Sequence, residues 1–246
     1  FVAIDGEGFS EGDLCHYEIG EEKRQYQSQH HFYSLLKASD GSEIYSETGR
    51  LETRACLDFL IDIKIRNPKA IVVCFGGSYD FVHMLAYGLS REQVQQLMEK
   101  SSLSAETTRA HLDVTFGDYD YRIEYRPRKS FSVCRWRKGI TKFIYDAKGR
   151  PKRNGGESVT VWDVWGFFQL SFAECMKKWI PDDPDYQFIC NQKGQRKHFQ
   201  RSDIDIIRKY NEAELRCLVA IMNRLRDAIR GLGLTLSRWD GAGAIA

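Results

Sequence analysis

The first apolar run of the chain, Phe1 to Ile4, breaks into Asp5-Gly6-Glu7-Gly8. Residues two apart in an extended backbone project to the same face, so the Asp5 and Glu7 carboxylates would stand side by side. At neutral pH such a pair either keeps a proton or holds a cation between its members. A divalent metal site and a strand ending in an acidic, glycine-rich turn both satisfy the pattern. Asp80 lies just past a second apolar run, in Gly76-Gly77-Ser78-Tyr79-Asp80-Phe81. Functional groups of α/β sheets collect there, at strand carboxyl ends, although an aspartate that caps a helix reads the same way. Tyr210 and Glu214, spaced i and i+4, would share one helix face, as would two residues of an ordinary amphipathic surface.

Several elements must position these groups. The runs 30–39 and 42–46, with Asp40-Gly41 between them, read as a hairpin that follows the first strand. Leu51 to Ile65 has helical spacing and ends at Asn67-Pro68, and "AIVVCF" reads as a strand buried on both faces, followed by a turn and a short helix. "REQVQQLMEK" reads as an amphipathic helix. From about His111 to Asp163 the pattern becomes β-rich, a sheet extension or insertion. "GFFQLSFAECMKKWI" returns to helical periodicity, and after a polar loop with Pro181 and Pro184 the stretch 201–229 is the longest periodic helix, with Ser202-x-x-Asp205 as its capping signal. The pattern predicts one α/β domain with a mixed sheet and a β-rich extension, without internal repeats.

Composition narrows the class. The chain has 246 residues, 42% hydrophobic and 13% aromatic, enough for a real core. No apolar stretch reaches membrane-spanning length and no signal peptide is visible, so the expectation is a soluble, cytoplasmic protein without membrane contact. Seven scattered cysteines without a C-x-x-C pair argue against a disulfide framework and a structural zinc site. The net charge of +2 hides a basic middle segment, Arg122 to Arg153, interleaved with Tyr119, Tyr121, Tyr125, Phe131, Trp136, Phe143 and Tyr145. Such a segment suits nucleic acid, through phosphates and stacked bases. A solvated hairpin with its rings turned to a core fits equally well.

The acids occur in an order that resembles a known family. "IDGEG", "GGSYDF" and "YNEAE" are similar to the three motifs of the DEDD-type 3′–5′ exonucleases, tyrosine branch. More narrowly, the chain resembles the proofreading exonuclease domain of family B DNA polymerases, especially the protein-primed group of phages and linear plasmids. The likeness spans nearly the whole chain: it implies a ribonuclease H-like exonuclease domain over 1–236, with "SRWDGAGAIA" (237–246) leading toward a polymerase region.

The resemblance implies a metal-dependent 3′–5′ exonuclease that removes nucleotides from single-stranded DNA ends, with Asp5, Glu7, Asp80 and Glu214 as metal ligands and Tyr210 orienting water. Two cations about 4 Å apart serve such hydrolysis, and hard carboxylate ligands select Mg²⁺ or Mn²⁺. Asp5, Glu7 and Glu214 would share the first metal, and Asp5 would help hold the second. Lys193 would offset phosphate charge. Tyr79 and Phe81 flank Asp80 as candidates to pack on terminal bases, core packing being preferred for Phe81, and Gly6 and Gly8 would leave room for a strand end. Two departures stand out: Glu214 replaces the usual Asp, and Gly76 occupies the place of an asparagine that holds the primer end. In "QKGQRKHF", His198 follows Lys193 where the resemblance implies a tyrosine. A binding module with weakened catalysis and another ribonuclease H-like nuclease are the alternatives. The chain would act as a monomer or joined to its polymerase, in the cytoplasm of a host cell if viral or plasmid-encoded.

Overall fold

The first strand, β1 (Val2–Glu11), is followed by the polar hairpin β2 (Leu14–Ile19) and β3 (Glu22–Gln27), then by β4 (His30–Ala38) and β5 (Glu43–Tyr45). The computed structural model describes residues 1–12, 14–19, 22–27, 30–102, 111–145, 151–195 and 199–245. The β4–β5 hairpin forms as the Asp40-Gly41 signal predicts: Gly41 takes φ +88°, and Asp40 Oδ1 accepts from Ser42 N at 3.0 Å. Helix α1 (Thr53–Arg66) ends where Asn67-Pro68 requires. Strand β6 (Val72–Cys74) then leads through Gly76 and Gly77 into α2 (Ser78–Leu85), and α3 (Arg91–Ser102) follows.

The β-rich segment comprises β7 (His111–Phe116), β8 (Tyr119–Arg126), β9 (Ser130–Arg137), the small hairpin β10 (Phe143–Tyr145) and β11 (Pro151–Arg153), and β12 (Glu157–Asp163). Helices α4 (Trp165–Phe168), α5 (Phe172–Trp179), α6 (Pro184–Lys193) and α7 (Ile204–Gly231) complete the chain.

Eight strands form one mixed sheet in the order β5-β4-β1-β6-β12-β9-β8-β7. β1, β6 and β12 run parallel, while β4, β5, β9, β8 and β7 pair antiparallel. The fold is therefore α/β, a mixed sheet flanked by helices and compatible with a ribonuclease H-like architecture. β12 is a central strand beside β6, so only β7, β8 and β9 extend the sheet outward. Within β6, Val72 and Cys74 join the core under α1 to α3, and Val73 joins the core under α7. Cover on both faces explains its unbroken apolar run.

Four local expectations change. The "GFFQLSFAECMKKWI" stretch is two helices, because Gln169 takes a left-handed φ of 52° and Ser171 opens α5 with a Glu174 capping box. The polar loop after Trp179 contains α6, opened by Asp183 as N-cap and Pro184 in its first turn. Ser202-x-x-Asp205 does not cap α7: a 3-10 turn at Arg201–Asp203 precedes it, closed by Gln200 N donating to Asp203 Oδ2 at 2.9 Å. Trp239, in the segment predicted to be a connection, is buried in the α7 core against Phe1 and Phe167. No helix among the described residues is long and apolar enough to cross a membrane.

Candidate metal centre

Alternation along β1 settles which way its acids point. Ala3 packs in the core under α7, whereas Val2 and Ile4 pack under α1. Asp5 and Glu7 continue the Ala3 face, toward α7. Gly6 faces the other way, where a Cβ would overlap the Tyr33 hydroxyl, and a Cβ at Gly8 would run into the Phe32 carbonyl. The two glycines therefore do not leave room for a strand end as expected. The chain's own β4 fills those places.

Tyr33 reaches that position because of a β-bulge. Glu7 lies opposite Leu35 and Gly8 opposite Tyr33, with Ser34 as the extra residue on β4. In an unbroken strand Leu35 and Tyr33 would share a face. Instead Leu35 packs with Phe9, Phe199 and Ile207 on one side, and Tyr33 joins the α1 core on the other. From there its hydroxyl donates to Asp80 Oδ1 at 3.1 Å. Burial, then the nearby Asp80 charge, pushes the Tyr33 hydroxyl well above the usual phenol range, so it remains a donor.

Asp80 is the third residue of α2 and is 6% exposed. It does not cap the helix: Gly77 occupies that place and makes no side-chain cap. The turn before it is held by Asp163 at the end of β12, whose Oδ1 accepts from Gly76 N at 2.9 Å and Trp165 N at 3.1 Å. Burial raises the Asp163 carboxyl, while these backbone donors favour its charged form. Gly76 takes φ +68°, a conformation that glycine and, less readily, asparagine accept. Phe81 is a core residue, as the preferred reading of the sequence has it. It is 1% exposed and stacks on Phe131 at 4.7 Å, so it cannot meet a base. Tyr79 does line the site, its hydroxyl hydrogen-bonded to His31 Nε2.

From α7, Tyr210 donates to Glu214 Oε1 at 2.6 Å, one turn apart as its spacing predicts. Asn211, fully buried, donates from Nδ2 to Asp5 Oδ2 at 2.9 Å and ties the helix to β1. Lys37, opposite Asp5, bonds Glu43 and also Glu212 of α7, at 2.9 and 2.6 Å. The result brings oxygens of Asp5, Glu7 and Glu214 within 4.8 Å of one another. These are the three residues expected to share one metal.

Three carboxylates that close favour a bound cation, and an all-oxygen set suits a hard one. A cavity of about 230 Å³ opens beside them, lined by Asp5, Gly76, Tyr79, Asp80, Lys193 and Glu214 together with an apolar wall that includes Phe75 and Phe172. Tyr210 is fully buried and does not line it. His198 lies outside the described residues.

One other cluster among the described residues, Asp183, Asp185 and Cys217, has ligand-like spacing. Its parts have structural work: Asp183 caps α6, Asp185 pairs with Arg216, and burial pushes the Cys217 thiol up, away from a thiolate.

Of the supporting residues, Tyr33 and Asn211 had no sequence signal for their partners, although Asn211 sits inside the "YNEAE" motif. No protein-family model, curated protein or solved structure matches the chain.

Proposed function

We propose that this chain is a metal-dependent 3′–5′ exonuclease acting on single-stranded DNA ends. The observation that carries the reading is the convergence of Asp5 and Glu7 from the first strand with Glu214 from the last long helix, all within 4.8 Å. Asp80 and Lys193 line the cavity that Asp5 and Glu214 also line.

Asp5, Glu7 and Glu214 would hold one Mg²⁺ or Mn²⁺, and Asp5 with Asp80 a second. When bound, such ions supply a nucleophile at neutral pH and offset charge that develops on a phosphate. The remaining work belongs to the chain. Tyr210, with its hydroxyl on Glu214, positions that carboxylate, and Tyr33 does the same for Asp80. Lys193 lines the cavity, where its ammonium would offset charge on non-bridging phosphate oxygens. Tyr79 offers a ring beside Asp80 for the terminal base. A base-paired end would have to fray before its last phosphate reached these groups. The more specific role, proofreading within a family B DNA polymerase, rests on the sequence resemblance alone.

The test is a 5′-labelled single strand incubated with the purified chain and Mg²⁺ or Mn²⁺. A ladder shortening from the 3′ end is expected, and Asp5→Ala with Glu7→Ala should abolish it while the circular dichroism spectrum stays the same. Absence of shortening with either metal, or equal digestion by the double variant, overturns the reading. Binding without cutting by the unmutated chain would instead favour a nucleic-acid binding module.

A further inference from the structure

The basic segment does not act as one surface. Tyr121, Tyr125, Phe131 and Trp136 are buried, so these rings are core rather than stacking platforms. Much of the charge is neutralised within the protein: Arg122 pairs with Asp113, Arg135 with Asp58 and Glu157, and Lys142 with Asp120. Among the segment's described side chains, the exposed bases are Arg128, Lys129, Arg137 and Lys138. They fall at opposite ends of β9.

The register places one of these pairs beside the metal centre. β9 runs antiparallel to β12, with Ser130 opposite Trp162 near the carboxyl end of β12 and Arg135 opposite Glu157 at its start. The turn before Ser130 therefore lies at the sheet edge where Asp80 emerges. Asp163 N donates to Lys129 O at 2.9 Å, and the same Asp163 holds Gly76 N at the cavity. Arg128 occupies the turn with a left-handed φ of 56°, a place where glycine is the default, and its guanidinium lies 5.4 Å from the centre of the half-buried Trp165 ring. A guanidinium laid on a ring keeps its in-plane donors available for phosphate.

An acidic centre repels a polyanion, so a strand end must be drawn in by charge placed elsewhere. We infer that the Arg128–Lys129 turn, braced on Trp165, takes the sugar-phosphate backbone of a single strand whose 3′ end lies in the Asp5–Glu214 cavity. This deepens the nuclease reading and rests on it for the placement of the 3′ end. Arg137 and Lys138, roughly 26 Å away along an eight-residue strand, carry the same charge in the wrong place.

The experiment uses fluorescence anisotropy of a labelled oligothymidylate titrated with the full chain carrying Asp5→Ala and Glu7→Ala, over a salt series. The titration is repeated on the unmutated chain in EDTA as a guard against misfolding. Arg128→Gln with Lys129→Gln should weaken binding about tenfold or more at low salt, and flatten the slope of log K against log salt by about 1.4, two single-strand phosphate contacts. Arg137→Gln with Lys138→Gln should stay within about twofold of the parent. Equal weakening by both pairs, an unchanged slope in the first, or no binding by the unmutated chain overturns the inference. The 3′-shortening assay separates the two readings. Cutting with binding indifferent to Arg128 and Lys129 removes this surface and leaves the nuclease, whereas binding through the turn without cutting keeps the surface and removes the hydrolysis.

Discussion

Tyr33→Phe isolates one hydrogen bond at the centre of the site. The ring, stacked on His83 at 5.8 Å and wedged over Gly6, keeps its volume, so the change is the loss of the 3.1 Å donation to Asp80. A hydrogen bond to a charged group contributes about 1.5–3 kcal/mol, and both residues are buried, so a stability loss of about 2 kcal/mol is expected in urea titrations. The function should suffer in a particular way: kcat falls and the Mg²⁺ requirement rises, while KM for the strand changes little, because Tyr33 touches Asp80 rather than substrate. The pH dependence carries a sign. Burial and the Asp80 charge hold the folded Tyr33 hydroxyl above the ordinary phenol value of about 10, so its contribution is fully present below pH 10 and is lost as pH rises through the folded value. Tyr33→Phe should therefore lack that part of the alkaline loss of stability. A variant within about 0.5 kcal/mol of the parent, with the same metal requirement, would show that Tyr33 only fills space.

Gly6→Ala sets a Cβ against the Tyr33 hydroxyl and should cost about 1–3 kcal/mol by overpacking; Tyr33→Ala in the same chain should recover part of that loss, measured as a coupling energy in a double-mutant cycle. Glu214→Asp withdraws the carboxylate from Tyr210 and should weaken Mn²⁺ binding in calorimetry, whereas Tyr210→Phe should weaken it less. Because burial raises the Asp163 carboxyl, its contribution is fully present below pH 3.8 and declines as pH rises through the folded value; Asp163→Asn should flatten that part of the stability profile. Mg²⁺ or Mn²⁺ should raise the Tm of the unmutated chain but not of the Asp5→Ala, Glu7→Ala variant, since only a native-state site stabilises by mass action.

Local signals were legible where they depend on neighbouring residues. The Asp40-Gly41 hairpin, the α1 stop at Asn67-Pro68 and the buried β6 all follow from turn chemistry and periodicity, and they placed Asp80 at a strand end. The β2–β3 hairpin went unread because its sequence carries no clear apolar alternation. α6 is hidden by Pro181 and Pro184, which suit a loop as well as they suit the Asp183-Pro184 helix opening. β12 read as part of an extension because no local feature says which strand a strand will pair with.

The candidate site divides the same way. Residue type and spacing alone determined that Asp5 and Glu7 share a face and that Tyr210 can reach Glu214. Tertiary structure decided that Glu214 closes with Asp5 and Glu7, and that Asn211 ties α7 to Asp5. It also put Phe81 in the core, and used Ser34 as the extra residue that turns Tyr33 toward Asp80. A bulge of one residue reverses the face of a side chain, and that reversal depends on pairing between β1 and β4, which no window of local sequence contains.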